Sequence, residues 1–486
     1  MLTIGEEFLG YFKGKGSELM RDRQYEIFAL TLRYWYVFLI GYIFFQCLKS
    51  TLHGKRNKEF KRQGGGNVAF VIVLLIFSAL GLLSIRETTT IDLDIVVLAV
   101  LAATIFLFQY ILLRFVFKGL DCFLLLIVDV LFVMGLIMLQ RLSPSQAMSQ
   151  VQWFGMGCIA LVASMIVTTL VKGGRRFLYL LMVIGIFLLI LPLAFGDIIG
   201  GAKNWVSISL FGKEVGFQPS EFVKLILVFV FAIEFSQERT FKERLPVFIF
   251  TALCMLILVL SRDLGGALLF FGLFLFIYPI ATSDILLTAG AAGAGTAAAI
   301  LSYYLFSHVK VRVEAWKNPW ANIEDRGYQI AHALIAIGSG GFVGAGLGLG
   351  IPYIIPASKT DLIFAAICEE MGILVGLMII GFYAIIAIRG AIIAMNTENR
   401  LDALLAMGAT VSLSLQSFVI IGGVIKLIPL TGVTMPFVSY GGSSMVVSFA
   451  MIGIIEGVAV KTYRASLDDE AEDVKEENAE YEGEDE

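Results

Sequence analysis

Unbroken apolar runs are the feature that most restricts what this chain can fold into. Residues 68–84, VAFVIVLLIFSALGLLS, and residues 177–194, FLYLLMVIGIFLLILPLA, are each as long as a bilayer core requires of a helix. The runs lack the alternation of a membrane-spanning strand, and every backbone group inside lipid must be hydrogen-bonded internally. With 58% hydrophobic and 16% charged residues, the chain is also too apolar for a typical soluble domain. We therefore predict an all-α polytopic membrane protein.

The apolar runs predict thirteen membrane spans, three in an N-terminal extension and ten in the rest of the chain. Their approximate limits are 27–47, 68–85, 95–117, 122–140, 151–171, 177–196, 218–236, 245–260, 264–281, 285–307, 361–388, 402–427 and 442–462. The predicted domains are therefore an extension over 1–120, a ten-helix core over 121–465 and a tail over 466–486. The first 26 residues lack the layout of a cleavable signal peptide, so the first span is expected to act as an uncleaved anchor.

The distribution of charge predicts the orientation. Lysine and arginine collect in segments 49–62, 172–176 and 237–244. These segments follow the first, fifth and seventh predicted spans, and odd-numbered spans all end on the same side of the membrane. The positive-inside rule makes that side cytoplasmic. Residues 467–486 follow on the same side and carry twelve acids and one lysine, a composition that predicts a disordered, solvated tail.

Two sizeable segments, 196–218 and 308–360, then face outward, and long connections in compact proteins tend to be functional. Within the second, residues 327–338, GYQIAHALIAIG, have the apolar spacing of a helix. Residues 341–350, GFVGAGLGLG, resemble a phosphate-binding loop only superficially. No strand precedes them and no βαβ unit surrounds them, so a tight turn is favoured.

Metal and cofactor signals are weak. The five cysteines lie inside apolar runs without CxxC spacing, and the three histidines are scattered, so we expect inert thiols and no structural zinc. No cofactor is identified, although a divalent cation beside a phosphate-bearing substrate would be compatible chemistry. No motif indicates a nucleic-acid partner.

The stretch QPSEFVKL, residues 218–225, has two interpretations. Proline, here Pro219, is common at a helix start, and Glu221 suits the positive end of a helix. The stretch could therefore be an ordinary helix N-terminus. Glu221 and Lys224 are three residues apart, however, and share a helix face at the membrane boundary. Ionisable groups at that depth usually face an aqueous cavity, which favours a polar cavity that receives a charged headgroup.

Two further segments add polar groups to this side. In ASKTDLIFAAICEEMG, residues 357–372, Lys359 and Asp361 precede a span, and Glu370 lies more than two turns inside it. Glu369 and Glu370 are consecutive and cannot share one helix face. We therefore expect one carboxylate to face the cavity and the other a neighbouring helix. In PFVSYGGSS, the apolar pattern breaks around Ser439 and Gly441, where free amides could bind an anion.

Several segments together resemble the SEDS family (shape, elongation, division and sporulation), which includes FtsW and RodA. They are GAKNWVSI, FQPSEFVKL, RDLGGALLFF, RVEAWKNPW, RGYQIAHALIAIGSGGFVGAGLGLG, ASKTDLIFAAICEEMG and IPLTGVTMPFVSYGGSS, in family order over about residues 120–465. The first segment adds Lys203 and Trp205 to the substrate-binding candidates. The first three spans and the acidic tail lie outside the family core.

The resemblance implies a bacterial cell-membrane glycosyltransferase that polymerises lipid II into peptidoglycan strands and releases undecaprenyl pyrophosphate. It also implies a class B penicillin-binding protein as the partner that crosslinks the strands. A loop aspartate in the family is expected to deprotonate the 4-hydroxyl of the acceptor sugar. This hydroxyl then attacks the donor's anomeric carbon with inversion as undecaprenyl pyrophosphate leaves. Lys203, Lys224 and Lys359 are candidates to balance the charge of the leaving pyrophosphate.

The loop motif NPWANIEDRGYQI, residues 318–330, departs from the family pattern. With its two flanks aligned, Asn322 occupies the position of the essential aspartate, and asparagine cannot act as a base. Asp325, and after it Glu324, are the nearest acids that could take over this role, with Asn322 positioning the sugar. Two other hypotheses stay open: a non-catalytic scaffold that activates the transpeptidase, and a lipid II flippase.

Overall fold

The computed structural model describes the backbone of residues 2–57, 65–85, 91–171, 173–199, 202–210 and 213–484, and side chains in most of the same segments. Helices dominate these residues. Their bounds are α1 Leu2–Asn57, α2 Gly66–Ser84, α3 Leu93–Val116, α4 Cys122–Leu142, α5 Pro144–Leu170, α6 Arg175–Phe195, α7 Pro219–Phe235, α8 Phe241–Leu260, α9 Leu264–Thr282, α10 Ile285–Leu305, α11 Ser307–Lys317, α12 Tyr328–Gly340, α13 Ile363–Met371, α14 Ile373–Met395, α15 Arg400–Val424 and α16 Gly442–Glu484. Short 3₁₀ helices cover Pro319–Asn322 and Pro352–Ile354.

The predicted spans correspond to these helices with one main correction. Twelve helices in the described part of the chain are long and apolar enough to cross a membrane. The thirteenth predicted span is α7, which has 17 residues and is therefore about 25 Å long. The single span predicted over 361–388 is wrong, because α13 and α14 are separate helices that meet at Gly372. This residue has φ +90°, and a Cβ there would lie 2.4 Å from the amide nitrogen of Gly344.

Most of the length of the predicted spans is helical, but the segment between α6 and α7 forms a small antiparallel sheet. Its strands are β1 Asp197–Ile199, β2 Ala202–Leu210 and β3 Lys213–Phe217, in the order β1-β2-β3. Polar and apolar residues alternate over residues 206–210 of β2, which is the period of a strand with two unlike faces. This short alternation lies between two long apolar helices, and the sequence analysis did not predict the strand.

The predicted helix at 327–338 is confirmed as α12, whereas the tail differs from the prediction. A disordered segment was predicted over 466–486, yet α16 continues as one helix to Glu484. Glutamate, which favours helix, is frequent there. Side chains of this segment after residue 469 lie outside the described residues.

Helix α4 is the centre of the bundle. Every residue from Phe123 to Gln140 is buried, as expected for a helix that is apolar on all sides. The ring of Phe132 stacks on that of Phe154 in α5 with 4.0 Å between centroids, and Phe154 meets Phe449 of α16 edge-on at 5.5 Å. The three aromatic rings join α4, α5 and α16 into one core.

Opposite ends of the helices carry different polar groups. We call one end the loop end, because α11, α12 and the β-sheet lie there, and the other the basic end. At the basic end, the buried Arg389 of α14 binds Asp121 through Nε at 2.7 Å and Thr51 of α1 through Nη1 at 2.8 Å. At the loop end, the hydroxyl of Tyr25 in α1 donates to the Leu347 carbonyl at 3.0 Å. The first predicted extension helix is therefore attached to the core at both ends.

The Arg389 network leads to a prediction about stability. Replacing Arg389 with Met should leave the Asp121 carboxylate buried without its countercharge and lower the free energy of unfolding by about 3 kcal/mol. Thermal unfolding of the detergent-solubilised protein measures the change, with the exposed Arg464→Gln as a matched control. Equal melting temperatures for the two variants would show that the network does not stabilise the bundle.

Candidate functional site

A loop between α15 and α16, residues 425–441, is the centre of the polar groups at the loop end, and we call it the site loop. Side chains from four helices donate hydrogen bonds to its backbone carbonyls. They are Gln150 to Ser439 at 3.0 Å, Arg312 to Thr431 at 2.9 Å, Trp316 to Lys426 at 3.1 Å, Tyr383 to Pro436, and Gln416 to Thr434 at 2.8 Å. An irregular segment at this depth needs such partners for its carbonyls.

The predicted pair Glu221 and Lys224 contacts this loop indirectly, through the side chain of Gln416. The Lys224 ammonium lies 2.7 Å from the Glu221 carboxylate and 2.5 Å from the side-chain oxygen of Gln416. Both charged side chains are almost fully buried. The pair therefore orients Gln416, whose amide nitrogen reaches the site loop, and the ammonium charge is already balanced inside the protein.

The β-sheet is tied to the same end through Asp263, the N-cap of α9. One of its carboxylate oxygens accepts from the Gly266 amide at 2.8 Å, and the other accepts from Asn204 of β2 at 3.1 Å. Lys203 donates through Nζ to the Leu193 carbonyl at the end of α6, at 2.8 Å. The structure thus places Lys203 on a helix terminus, beside the partly buried Trp205.

Arg312 of α11 and Asp361 of the turn before α13 lie together at the site loop. A Cβ placed on Gly432 would lie 3.5 Å from the Asp361 carboxylate and 3.6 Å from the Arg312 guanidinium, so both groups border the same point of the site loop. Burial raises the pKa of Asp361 to about 6, and the hydrogen bond from Thr360 and the charge of Arg312 oppose this shift. Burial and the nearby arginines, Arg312 and Arg262, lower the pKa of His308.

Two further candidates of this region, Lys359 and Ser439, take part in hydrogen bonds between the site loop and the turn before α13. The Tyr440 amide donates to the Lys359 carbonyl at 2.9 Å. Ser439 donates through its hydroxyl to the Thr360 carbonyl at 2.6 Å and accepts from the Met435 amide at 2.9 Å. These bonds bring Lys359, Ser439 and the adjacent Gly441 together on one wall of the site.

The loop motif presents its acids to solvent. Asp325 has 85% of its side chain exposed and lies 3.8 Å from Arg326, which binds Glu314 of α11 at 3.1 Å. Glu324 is also exposed. Asn322 ends the 3₁₀ helix Pro319–Asn322, and its side chain lies outside the described residues. The two carboxylates can therefore meet a substrate that approaches from outside the bundle.

The glycine-rich segment forms the tight turns that were predicted. Gly344 and Gly348 have φ of +87° and +85°, which side chains with a Cβ rarely adopt. Glu370 accepts from the Gly348 amide at 2.9 Å and binds Arg141 of α4 at 3.1 Å. Its neighbour Glu369 accepts from the Ile351 amide at 2.9 Å. Both carboxylates thus bind this segment, and the structure does not bring Glu370 to an open cavity.

Sequence reasoning missed two residues of the site, Arg312 and Gln416. Gln416 is a buried polar residue inside the span predicted over 402–427, a placement that is costly without a partner and could have been noticed. Arg312 lies in the charged segment SHVKVRVEAWK, whose several cations are indistinguishable by sequence. No group of three or more His, Cys, Asp or Glu residues in the described part of the chain could hold a metal ion.

The fold and the site define a multi-pass helical membrane protein with a polar site at one membrane boundary. A family model described as "Cell cycle protein", FtsW/RodA/SpoVE, matches residues 120–464. The chain belongs to this family, which is the predicted SEDS family, and it is therefore a bacterial membrane protein.

Curated relatives agree with this assignment. The peptidoglycan glycosyltransferase RodA of Mycobacterium tuberculosis (strain ATCC 25618 / H37Rv) is 34% identical over 377 residues, which cover 70% of this chain and 78% of the relative. The probable peptidoglycan glycosyltransferase FtsW of Bacillus subtilis is 32% identical over 304 residues, 58% of this chain and 72% of the relative.

Two solved structures resemble the chain. One comes from work on the coordination of polymerization and crosslinking by a peptidoglycan synthase complex. It has a TM-score of 0.59 and 25% identity, and the match covers 71% of this chain and 98% of that one. RodA of Thermus thermophilus has a TM-score of 0.50 and 24% identity with the same coverage, and supports the fold alone.

Asp361 gives a prediction with a defined pH dependence. Below about pH 4 its carboxyl is protonated in the folded and unfolded chain, so Asp361→Asn should change stability little. Between about pH 4 and 6 the unfolded chain ionises first, so the native protein loses stability relative to the variant. Above pH 7 the variant should be more stable by roughly 3 kcal/mol. Thermal unfolding across pH measures this, with the exposed Asp468→Asn as control, and a gap that does not change with pH would contradict it.

Proposed function

We propose that this protein is a peptidoglycan glycosyltransferase that polymerises lipid II at the outer face of the bacterial cell membrane. The observation that carries the proposal is the family match over residues 120–464, with relatives named peptidoglycan glycosyltransferase at up to 34% identity. The geometry supports it, since exposed acids, buried cations and an ordered loop lie at one end of the bundle. A membrane-anchored sugar donor and acceptor would meet these groups at the lipid boundary.

In the proposed reaction, the hydroxyl of the acceptor sugar attacks the anomeric carbon of the donor. The new glycosidic bond forms as the bond to undecaprenyl pyrophosphate breaks, and the hydroxyl proton passes to a base. Asp325 is the proposed base, because its exposed carboxylate lies in the loop motif, and Glu324 is the second candidate. Asn322 would position the sugar through its amide, and a positioned base contributes about 10²–10⁴ in rate.

The leaving pyrophosphate requires positive charge. Arg312 and Lys359 border the site loop and its neighbouring turn, and Arg262 lies close enough to affect the pKa of His308. These cations would stabilise the charge that develops on the leaving group. Lys224 acts differently, since Glu221 neutralises it and its proposed role is to hold Gln416 and thereby the site loop. A divalent cation beside the pyrophosphate would be compatible chemistry, although the described residues contain no group of three or more acids or histidines to hold it.

A class B penicillin-binding protein is the proposed partner, which would crosslink the strands that this protein polymerises. The similarity to a chain of a peptidoglycan synthase complex supports this pairing. The proposed orientation puts the loop end outside the cell and the basic end, with the acidic tail, in the cytoplasm. It rests on the positive-inside rule.

The assignment of the base leads to a direct test. Asp325→Asn should reduce the rate of lipid II polymerisation by at least about 100-fold, because the acceptor hydroxyl loses its proton acceptor. Gel analysis of glycan strands made by the purified protein with its partner measures the rate. Protein yield and melting temperature should not change, since the side chain is exposed.

Glu314→Gln is the matched control. Glu314 and Asp325 both contact Arg326, so both variants disturb the same arginine, but only one removes the proposed base. Equal losses in the two variants would assign Asp325 a structural role. Full activity of Asp325→Asn would exclude it as the base, and Glu324→Gln and Asp361→Asn would then be measured in the same assay.

Asn322 favours a second candidate function, a non-catalytic scaffold that activates the transpeptidase. If the native protein is inactive while its partner's crosslinking depends on it, the scaffold function is supported. Asn322→Asp restores the family's aspartate. If this variant polymerises lipid II in the same assay, the inactivity of the native protein is due to its site and not to the assay. Polymerisation by this variant alone would show that the rest of the site is intact.

A further inference from the structure

The basic end contains a cavity that the proposed reaction does not use. Its volume is about 450 Å³, and it lies where the α7–α8, α9–α10 and α14–α15 connections meet. Three arginines from two of these regions line it, together with acidic and hydroxyl side chains: Arg239, Arg244, Arg400, Glu238, Glu243 and Thr282. The catalytic groups proposed above all lie at the opposite end of the helices.

The acidic groups of the lining are engaged elsewhere. Glu243 accepts from the Thr240 amide at 3.0 Å in the capping box of α8 and binds Arg175 at 3.3 Å. Glu238 is 95% exposed and reaches Arg400 only at 4.0 Å. Neither carboxylate therefore neutralises the arginines closely, and the weak exposed pair contributes little.

The arginines are held in place mainly by other contacts. Arg400 donates to the Ala281 carbonyl at 2.7 Å, and Arg239 donates to the buried Glu234. Arg244 lies over the ring of Phe235, 5.9 Å from its centroid, and its buried Nε has no hydrogen-bond partner among the described residues. Arg400 thus keeps donors that an anion could bind, and the guanidinium of Arg244 adds positive charge to the same cavity.

An apolar cavity of about 200 Å³ adjoins the first one and shares Arg400 with it. Its lining is made of side chains at the ends of α9, α14 and α15, among them Ile280, Met395, Ala403 and Met407. A soluble phosphate has no apolar part that would fill this second cavity. An amphiphile would place its anionic group among the arginines and its chain in the apolar cavity.

We propose that this pair of cavities binds one anionic phospholipid of the adjacent leaflet, with its phosphate between Arg244 and Arg400 and the start of one acyl chain along α15. Basic pockets between membrane helices are suited to such headgroups. The helix ends that form the site lie at headgroup depth, since α9 ends at Thr282 and α15 begins at Arg400. The proposal is independent of the proposed glycosyltransferase activity.

Native mass spectrometry of the full-length detergent-solubilised protein tests the proposal. Titration with dioleoylphosphatidylglycerol should show one preferred lipid, bound at least fivefold more tightly than dioleoylphosphatidylcholine. Arg400→Gln and Arg244→Gln should each weaken binding of the anionic lipid at least fivefold, and Arg400→Lys should retain part of the affinity. Ala403→Phe should also weaken it, because the ring fills the apolar cavity without altering charge.

Lys242→Gln is the matched control, since Lys242 is an exposed cation on α8 that does not line the cavity. Equal affinity for the two lipids, or equal effects of Lys242→Gln and Arg400→Gln, would overturn the proposal. Glycerol 3-phosphate that displaces the lipid at equal concentration would also overturn it and assign the cavity to a soluble phosphate. Separate variants at Arg244, Arg400 and Ala403 keep the test valid if one of them does not fold.

Discussion

The cost of leaving a polar group unsatisfied among membrane helices is the constraint on which the site depends. The site loop runs irregularly between α15 and α16, so its carbonyls have no helix or sheet to accept from. Side chains from α5, α11, α14 and α15 supply the donors. Gln416 can do so only because Lys224 orients it, and Lys224 can be buried only because Glu221 balances its charge.

The same constraint links the family core to the N-terminal extension. Arg389 is buried at the basic end, and its donors reach Asp121 in the core and Thr51 in α1. At the loop end, the glycine-rich segment receives Glu370 from α13 and Tyr25 from α1. The extension therefore contacts the residues that shape both ends of the core, although it lies outside the matched family segment.

Sequence reasoning identified most helices and predicted several of the residues that meet at the loop end, and its errors have physical reasons. The break at Gly372 was missed because α13 and α14 are both apolar, so hydropathy continues across a turn that only the positive φ reveals. One of the two carboxylates Glu369 and Glu370 was expected to face a cavity, since a carboxylate in a span usually does, but Glu370 is held in an ion pair instead. Its partner Arg141 lies 229 positions away, and no local pattern encodes that pairing.

By itself, the sequence determined that the chain crosses a membrane many times as helices, because long apolar runs permit little else in lipid. Its ordered motifs also determined the family and pointed to the loop that carries Asn322, Asp325 and Glu324. Only the tertiary structure decided which charges are already balanced, such as Lys224, and which side chains meet, such as Asp361 and Arg312 beside Gly432. Charge balance depends on distances between helices far apart in the chain, and sequence spacing does not contain those distances.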